Sequence, residues 1–220
     1  MLKWRLSSYV FKLPSIITTL QSYSNGLQML RRKWMIESKL MMITFQQLQE
    51  THFPLLLKWL KTPHVKAWWD QDVSWTLELI KEKYGTYVQG FKRLNRSDRI
   101  IDKPMHAFVI CVNGEEIGYI QYYNAYDFPR EQGYEIEGLP KSLASLDIFI
   151  GEEDYFGKGL GSAIMKQFLK EKVDPIYEAC FVDPDSINLQ AIRAYEKVGF
   201  KKVKTVKEGT ITWMVREKQL

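Results

Sequence analysis

Cysteine is scarce in this 220-residue chain: Cys111 and Cys180 stand alone, without C-x-x-C spacing, each in an apolar run. That excludes a disulfide scaffold and predicts two buried free thiols in a reducing, cytoplasmic setting. Histidine is equally sparse, and His52, His64 and His106 are scattered, so no metal centre is expected. No apolar run approaches the roughly 18 residues that a bilayer crossing needs. Internal repeats and low-complexity segments are missing too. With 45% apolar and 26% charged residues, the composition excludes wholesale disorder and collagen-like repetition.

What is present first suggests an anionic partner, because the net charge is +5. Split along the chain, that charge changes meaning. Residues 1–40 hold seven bases (Lys3, Arg5, Lys12, Arg31, Arg32, Lys33, Lys39) against Glu37, whereas the remaining 180 residues hold 24 bases and 25 acids. The body is near neutral, and no nucleic-acid partner is expected. Lys12 and Pro14 interrupt any secretory apolar core near the start. Residues 1–40 read as a basic, poorly ordered extension, with membrane contact confined to that segment. Met41-Met42 precede the first folded pattern and offer an alternative start.

From there the pattern is that of one mixed α/β (α+β) domain over 41–220, with a mostly antiparallel sheet flanked by helices. Residues 42–46 predict a strand, Phe53–Leu60 a helix, and Asp70–Gly85 a helix carrying Trp75, Leu79 and Ile80. Met105–Val112 and Ile117–Tyr123 flank Asn113-Gly114, a strong hairpin signal. Residues 124–140 read as a long loop. Leu143–Ile150 is a buried strand, Gly159–Val173 a helix, and Ile176–Phe181 another strand. Ser186 or Asp185 is expected to cap a helix that ends at Val198 before Gly199. Lys201–Lys207 and Thr210–Arg216 form the last hairpin.

The most informative stretch runs from Asp147 through Phe156-Gly157-Lys158-Gly159-Leu160-Gly161-Ser162. Glycines at alternate positions let a ligand approach backbone closely. The helix starting inside that run offers unpaired N–H groups to a pyrophosphate. It is neither a P-loop nor the Rossmann fingerprint, and three glycines shaping a tight turn would read the same way. A second block follows one strand later, Asn188-x-x-Ala191-x-x-x-Tyr195-x-x-x-Gly199-Phe200.

Together the two blocks, in this order and separation, resemble the GNAT superfamily of N-acetyltransferases. The resemblance implies splayed strands over 143–150 and 176–182 forming an acetyl-CoA cleft. It assigns cofactor contacts to Ile148, Phe149, Ile150, Phe156, Gly157, Lys158, Gly159, Leu160, Gly161, Ser162, Asn188 and Tyr195. Phe156 departs from the Gln or Arg usual there, which leaves the backbone cradle but removes a side-chain contact. Ala67-Trp68-Trp69, the run Asn113–Tyr123, Asp147 and Asp183-Pro184 through Phe200 look like the aminoglycoside 6'-N-acetyltransferases. That similarity covers about residues 43–216 and implies acetylation of the 6'-amino group by direct transfer in a ternary complex.

Amine acetylation needs a base for the amine and an acid for the leaving group. The resemblance gives these roles to Asp147 and Tyr195. A strand carboxylate satisfied by neighbours and a core aromatic are the plainer readings of the same residues. Trp68, Trp69, Gln121, Tyr123, Glu135, Glu137, Asp147 and Asp183 are the candidate acceptor-binding residues. His64 is an alternative base. Eight acids between Asp127 and Asp154, against two bases, predict a negative mouth suited to a polycationic small-molecule amine. A solvated acidic loop would read alike. The alternatives are N-acylation of a lysine-type, siderophore-precursor or polyamine amine, and an acyl-CoA-binding module without turnover. A monomer or weak homodimer is expected.

Overall fold

The computed structural model describes residues 41–95, 99–128, 136 and 138–218. The expected extension over 1–40 lies outside these residues, as do Tyr134, Glu135 and Glu137 of the long loop.

Strand β1 (Ile43–Gln47) leads into α1 (Phe53–Lys61), the single turn α2 (Pro63–Lys66) and α3 (Leu77–Val88). Pro54 sits in the first turn of α1, where its missing N–H has no partner to lose. Phe53, Leu56, Trp59 and Leu60 recur at helical spacing and are buried. Helix α3 starts seven residues later than the predicted Asp70. Asp70 takes a φ of 44°, and Thr76 Oγ1 accepts the Leu79 N–H at 3.3 Å, capping the first turn. Trp75 is therefore buried in the extended lead-in and Leu79 faces solvent, while Ile80, Tyr84 and Tyr87 form the buried stripe.

A hairpin of β2 (Phe91–Asn95) and β3 (Ile100–Pro104) follows, separate from the main sheet. Sequence patterning gives no sign of it, because its charged residues pair across the strands, as Arg93 does with Asp102 at 2.9 Å. The predicted hairpin of β4 (His106–Val112) and β5 (Glu115–Asn124) turns at Asn113 and Gly114, with φ of 53° and 85°. Two positive φ values are what a tight two-residue turn requires.

Strand β6 (Leu143–Ile150) has the predicted bounds, and α4 (Leu160–Phe168) continues into a wider turn over Leu169–Val173. Strand β7 (Ala179–Val182) is shorter than expected, because Ile176 belongs to the preceding turn and is exposed. Helix α5 (Leu189–Val198) is capped by Asn188, whose Oδ1 accepts the Ala191 N–H at 3.1 Å. Neither Ser186 nor Asp185 does so: Ser186 Oγ bonds Thr212 Oγ1 at 2.7 Å, and Asp185 Oδ1 turns back to the Ile187 N–H at 3.0 Å. Gly199 ends α5 with a φ of 100°, the left-handed stop that glycine adopts without a Cβ penalty. Strands β8 (Lys201–Val206) and β9 (Ile211–Glu217) complete the fold.

The seven strands run in the order β1-β4-β5-β6-β7-β9-β8, antiparallel except for β6 and β7. On one face α1 and α3 bury Val109, Tyr119 and Phe149. On the other, Phe168 of α4 meets the rings of Phe45, Phe108 and Tyr122 at 4.8–5.9 Å. The decisive feature is where pairing stops. Strand β6 pairs with β7 only over Leu143–Ser145, while its β5 side stays paired out to Ile150. From Leu146 onward the β7-facing edge of β6 is left open.

Candidate active site

That open edge borders a cleft of about 780 Å³. Its walls are residues 146–150 of β6, the glycine loop with the start of α4, the Asp183–Asp185 turn, one face of α5, and His64 with Trp68 and Trp69. Of the predicted cofactor residues, Ile148, Phe149, Ile150, Phe156, Gly157, Gly159, Leu160, Gly161, Ser162, Asn188 and Tyr195 all line it; Lys158 does not.

The glycines behave as ligand-facing positions. Gly157 and Gly159 have φ of 75° and 77°, and Gly159 is the N-cap of α4. A Cβ built at Gly157, Gly159 or Gly161 meets nothing within 4 Å. By contrast, a Cβ on Gly151 would come within 2.1 Å of the Trp59 ring, and one on Gly118 within 2.4 Å of the Phe149 carbonyl oxygen. The loop glycines are thus small next to open space, not next to packed protein. Helix N–H groups and an unpaired strand edge around that space fit a phosphorylated, amide-bearing arm.

Asp147 lines the cleft half-buried, and Gln121 Nε2 donates to its Oδ2 at 2.7 Å. Gln121 is itself 7% exposed and accepts the Tyr119 hydroxyl proton at 2.6 Å. Its amide is therefore committed behind Asp147, and Gln121 is not among the cleft-lining residues. Tyr123 also stands back, its ring 4.7 Å from Phe128. Trp68, Trp69 and Asp183 do line the cleft; Glu135 and Glu137 lie outside the described residues. Tyr195, from α5, is buried with its ring edge-on to Phe200. Burial first, then the charges of Asp147 and Asp183, push its hydroxyl well above the ordinary tyrosine range.

Electrostatically the mouth is more mixed than the count of acids predicts. Asp127 is bound by Lys103 at 2.6 Å. Glu152 takes Lys58 at 2.6 Å and the Trp59 indole at 2.8 Å, and these bonds hold its carboxyl below the usual range. Arg193 and Lys197 line the cleft as well, two bases that the count of charges over 127–154 does not include. Their signal was available, since Gln190, Arg193, Ala194 and Lys197 recur at helical spacing. Lys92 of β2 lies 5.3 Å over the Phe128 ring, its pKa lowered by burial and then by Lys83. His64 is no loose surface group: its Nε2 bonds the Ile150 carbonyl at 2.9 Å and its ring lies tilted against Phe156, centroids 4.6 Å apart.

A seven-stranded sheet with one parallel pair splayed beside a glycine-led helix defines an acetyltransferase architecture. Residues 49–208 match the family model described as an acetyltransferase (GNAT) domain, and the chain belongs to that family. It is 28% identical over 181 residues to aminoglycoside N(6')-acetyltransferase type 1 of Klebsiella pneumoniae, covering 80% of this chain and 84% of that protein. Two solved structures of the aminoglycoside acetyltransferase AAC(6')-Ib are 27% identical to it. The complex with coenzyme A and kanamycin covers 81% of this chain and 96% of that one, with a TM-score of 0.65. The complex with paromomycin and acetyl-CoA covers 80% and 94%, with a TM-score of 0.66.

Proposed function

We propose that this chain is an acetyl-CoA-dependent N-acetyltransferase that acetylates the 6'-amino group of an aminoglycoside. The observation that carries this reading is the meeting of Asp147 and Tyr195 in one cleft with the open glycine cradle. The relatives named above bear the same activity in their names, over four-fifths of this chain.

Acetyl-CoA, when bound, supplies an acetyl group activated as a thioester. The N–H groups of residues 157–162 would hold its pyrophosphate, the Phe156 N–H being spent on the Glu153 carbonyl, and the open edge of β6 would hold its amide-bearing arm. Asp147 takes the proton that the acceptor ammonium must lose to become a nucleophile. Gln121 keeps the carboxylate turned toward the cleft, with one oxygen anchored by its amide. Tyr195 remains protonated through the neutral range and is the acid of the cleft. Trp68 and Trp69 offer ring faces, and Asp183 a counter-charge, to a cationic sugar. Cys111 and Cys180 are both buried and neither lines the cleft, so no thiol of the chain is placed to carry the acetyl group.

The test is free-thiol release from acetyl-CoA with kanamycin-type aminoglycosides, polyamines, lysine-type amines and basic peptides in parallel. Aminoglycosides are expected to give the highest kcat/KM. Release with polyamines or lysine-type amines alone would overturn the acceptor assignment. CoA binding without release from any amine would leave a binding module.

A further inference from the structure

Behind Asp147 lies a buried chain of hydrogen bonds that reaches beyond the cleft. Gln121 stands directly opposite Asp147 in the β5–β6 register, and Tyr119 opposite Phe149 one repeat along the same face. The Tyr119 hydroxyl meets Gln121 Oε1 at 2.6 Å, and Gln121 Nε2 meets Asp147 Oδ2 at 2.7 Å. The direction of this chain follows from its end member. An ionised carboxylate only accepts, so Gln121 must present its NH2 to Asp147 and its oxygen to Tyr119, which then must donate.

We infer that Tyr119 is a positioning residue for the transfer reaction, acting through Gln121 to fix the Asp147 carboxylate. This rests on the reading of Asp147 as the base. The ring of Tyr119 is held on three sides: stacked 5.5 Å from Phe149, and edge-on to Trp69 at 6.0 Å and to Tyr84 at 5.6 Å. Its hydroxyl has a fixed place, and the side chain is fully buried. Burial also pushes that hydroxyl well above the ordinary tyrosine range, so it remains a donor at every working pH. Without it, the Gln121 oxygen becomes a buried acceptor that has lost the Tyr119 donor, and the amide is free to turn away from Asp147. The aromatic contacts of Tyr119 are ring contacts, which phenylalanine keeps.

The titratable groups whose charge interacts with Asp147 come from several elements around it. Among the described residues they include Tyr84 and Tyr87 of α3, Lys92 of β2, Tyr119 of β5, Cys180 of β7 and Tyr195 of α5. Apart from Tyr119 itself, all are left unchanged by the variants below.

Tyr119→Phe, Gln121→Met and the double variant are compared for steady-state kinetics, CoA affinity and thermal unfolding. Tyr119→Phe is expected to lower acceptor kcat/KM about five- to tenfold, the scale of one lost hydrogen bond. Its acidic limb should move to higher pH, because a loosened amide favours the charged carboxylate less. CoA affinity should hold. In the Gln121→Met background, Tyr119→Phe should add nothing further. An effect of Tyr119→Phe that persists undiminished without Gln121, or no effect in a folded variant, overturns the inference. NMR titration of the Asp147 carboxyl, assigned against Asp147→Asn, separates this from the base assignment. An Asp147 pKa raised by Tyr119→Phe supports the hold of Tyr119 on the carboxylate through Gln121. Where Asp147→Asn nevertheless keeps its turnover, the base reading fails and the role in transfer fails with it. An unmoved pKa beside an inactive Asp147→Asn overturns the inference alone.

Discussion

At the residue scale, Asp147 carries the most weight, and its surroundings explain why a carboxylate is tolerated in an apolar strand. One oxygen is anchored by Gln121, and the group is half-buried at the wall of a cleft instead of in the core. Asp147→Asn keeps the shape and an acceptor oxygen but cannot take a proton. Turnover should fall at least about tenfold, the low end of what a general base contributes, while CoA affinity measured by calorimetry stays unchanged. His64 shows the opposite outcome. The sequence offers it only as an alternative base, yet the fold places it on α2 with its ring at the Ile150 carbonyl, 86 positions along the chain at the end of β6. A carbonyl only accepts, so Nε2 must carry the proton there, which leaves Nδ1 as the ring's second polar atom.

At the element scale, the glycine loop and the α5 cap each serve two masters, and substitution can separate them. Gly161 is the second residue of α4, without a positive φ and with open space around its missing Cβ. Gly161→Ala should therefore leave the fold intact and raise stability by about 0.5–1 kcal/mol, since alanine is the better helix former. CoA affinity should drop, because the new methyl points into the cleft; a gain in melting temperature with unchanged affinity would remove the loop from the cofactor site. Asn188 is both cap and cleft residue. Serine caps about as well as asparagine, whereas alanine costs about 1 kcal/mol. Asn188→Ser should hold thermal stability and lose CoA affinity, and Asn188→Ala should lose both. Affinity retained in the serine variant would show that capping is the whole role.

At the scale of the whole molecule, five buried tyrosines among the described residues set the alkaline limit. Tyr84, Tyr87, Tyr119, Tyr122 and Tyr195 are all shifted upward, chiefly by burial. Below about pH 10 they are protonated in folded and unfolded chains alike, and their contribution is intact. Above it the unfolded chain sheds protons that the folded chain retains. Stability then falls as pH rises, by up to about 1.4 kcal/mol per pH unit for each tyrosine. The buried thiols Cys111 and Cys180 are raised in the same way, so melting temperature should hold from pH 7 to about 8, begin to fall above about 8.5 and drop steeply beyond about 10; a decline from neutrality would contradict this. The far end of the sheet is fixed differently. Arg216 of β9 forks onto Asp174 at 2.7 and 3.0 Å, tying the last strand to the turn after α4. Neither partner stands out in the sequence, because they are 42 positions apart.

Local rules in the sequence were enough for the glycine loop, the Asn113-Gly114 turn, the bounds of β6 and the α5 stop at Gly199. Each depends on backbone freedom or side-chain period within a few residues, which composition reports directly. Such a rule placed Gly157, Gly159 and Gly161 in the cleft, whereas Asn188 and Tyr195 were legible only through the resemblance to a known family. Long-range pairing decided the rest. Only the register of β5 against β6 turned Gln121 from a cleft residue into the support behind Asp147. Only the early end of β6–β7 pairing opened the strand edge, and only ion pairing with Lys103 and Lys58 tempered the acidic mouth that the count of charges predicted. Such outcomes depend on which distant groups satisfy one another's charge and hydrogen bonds, and that is settled when the chain packs.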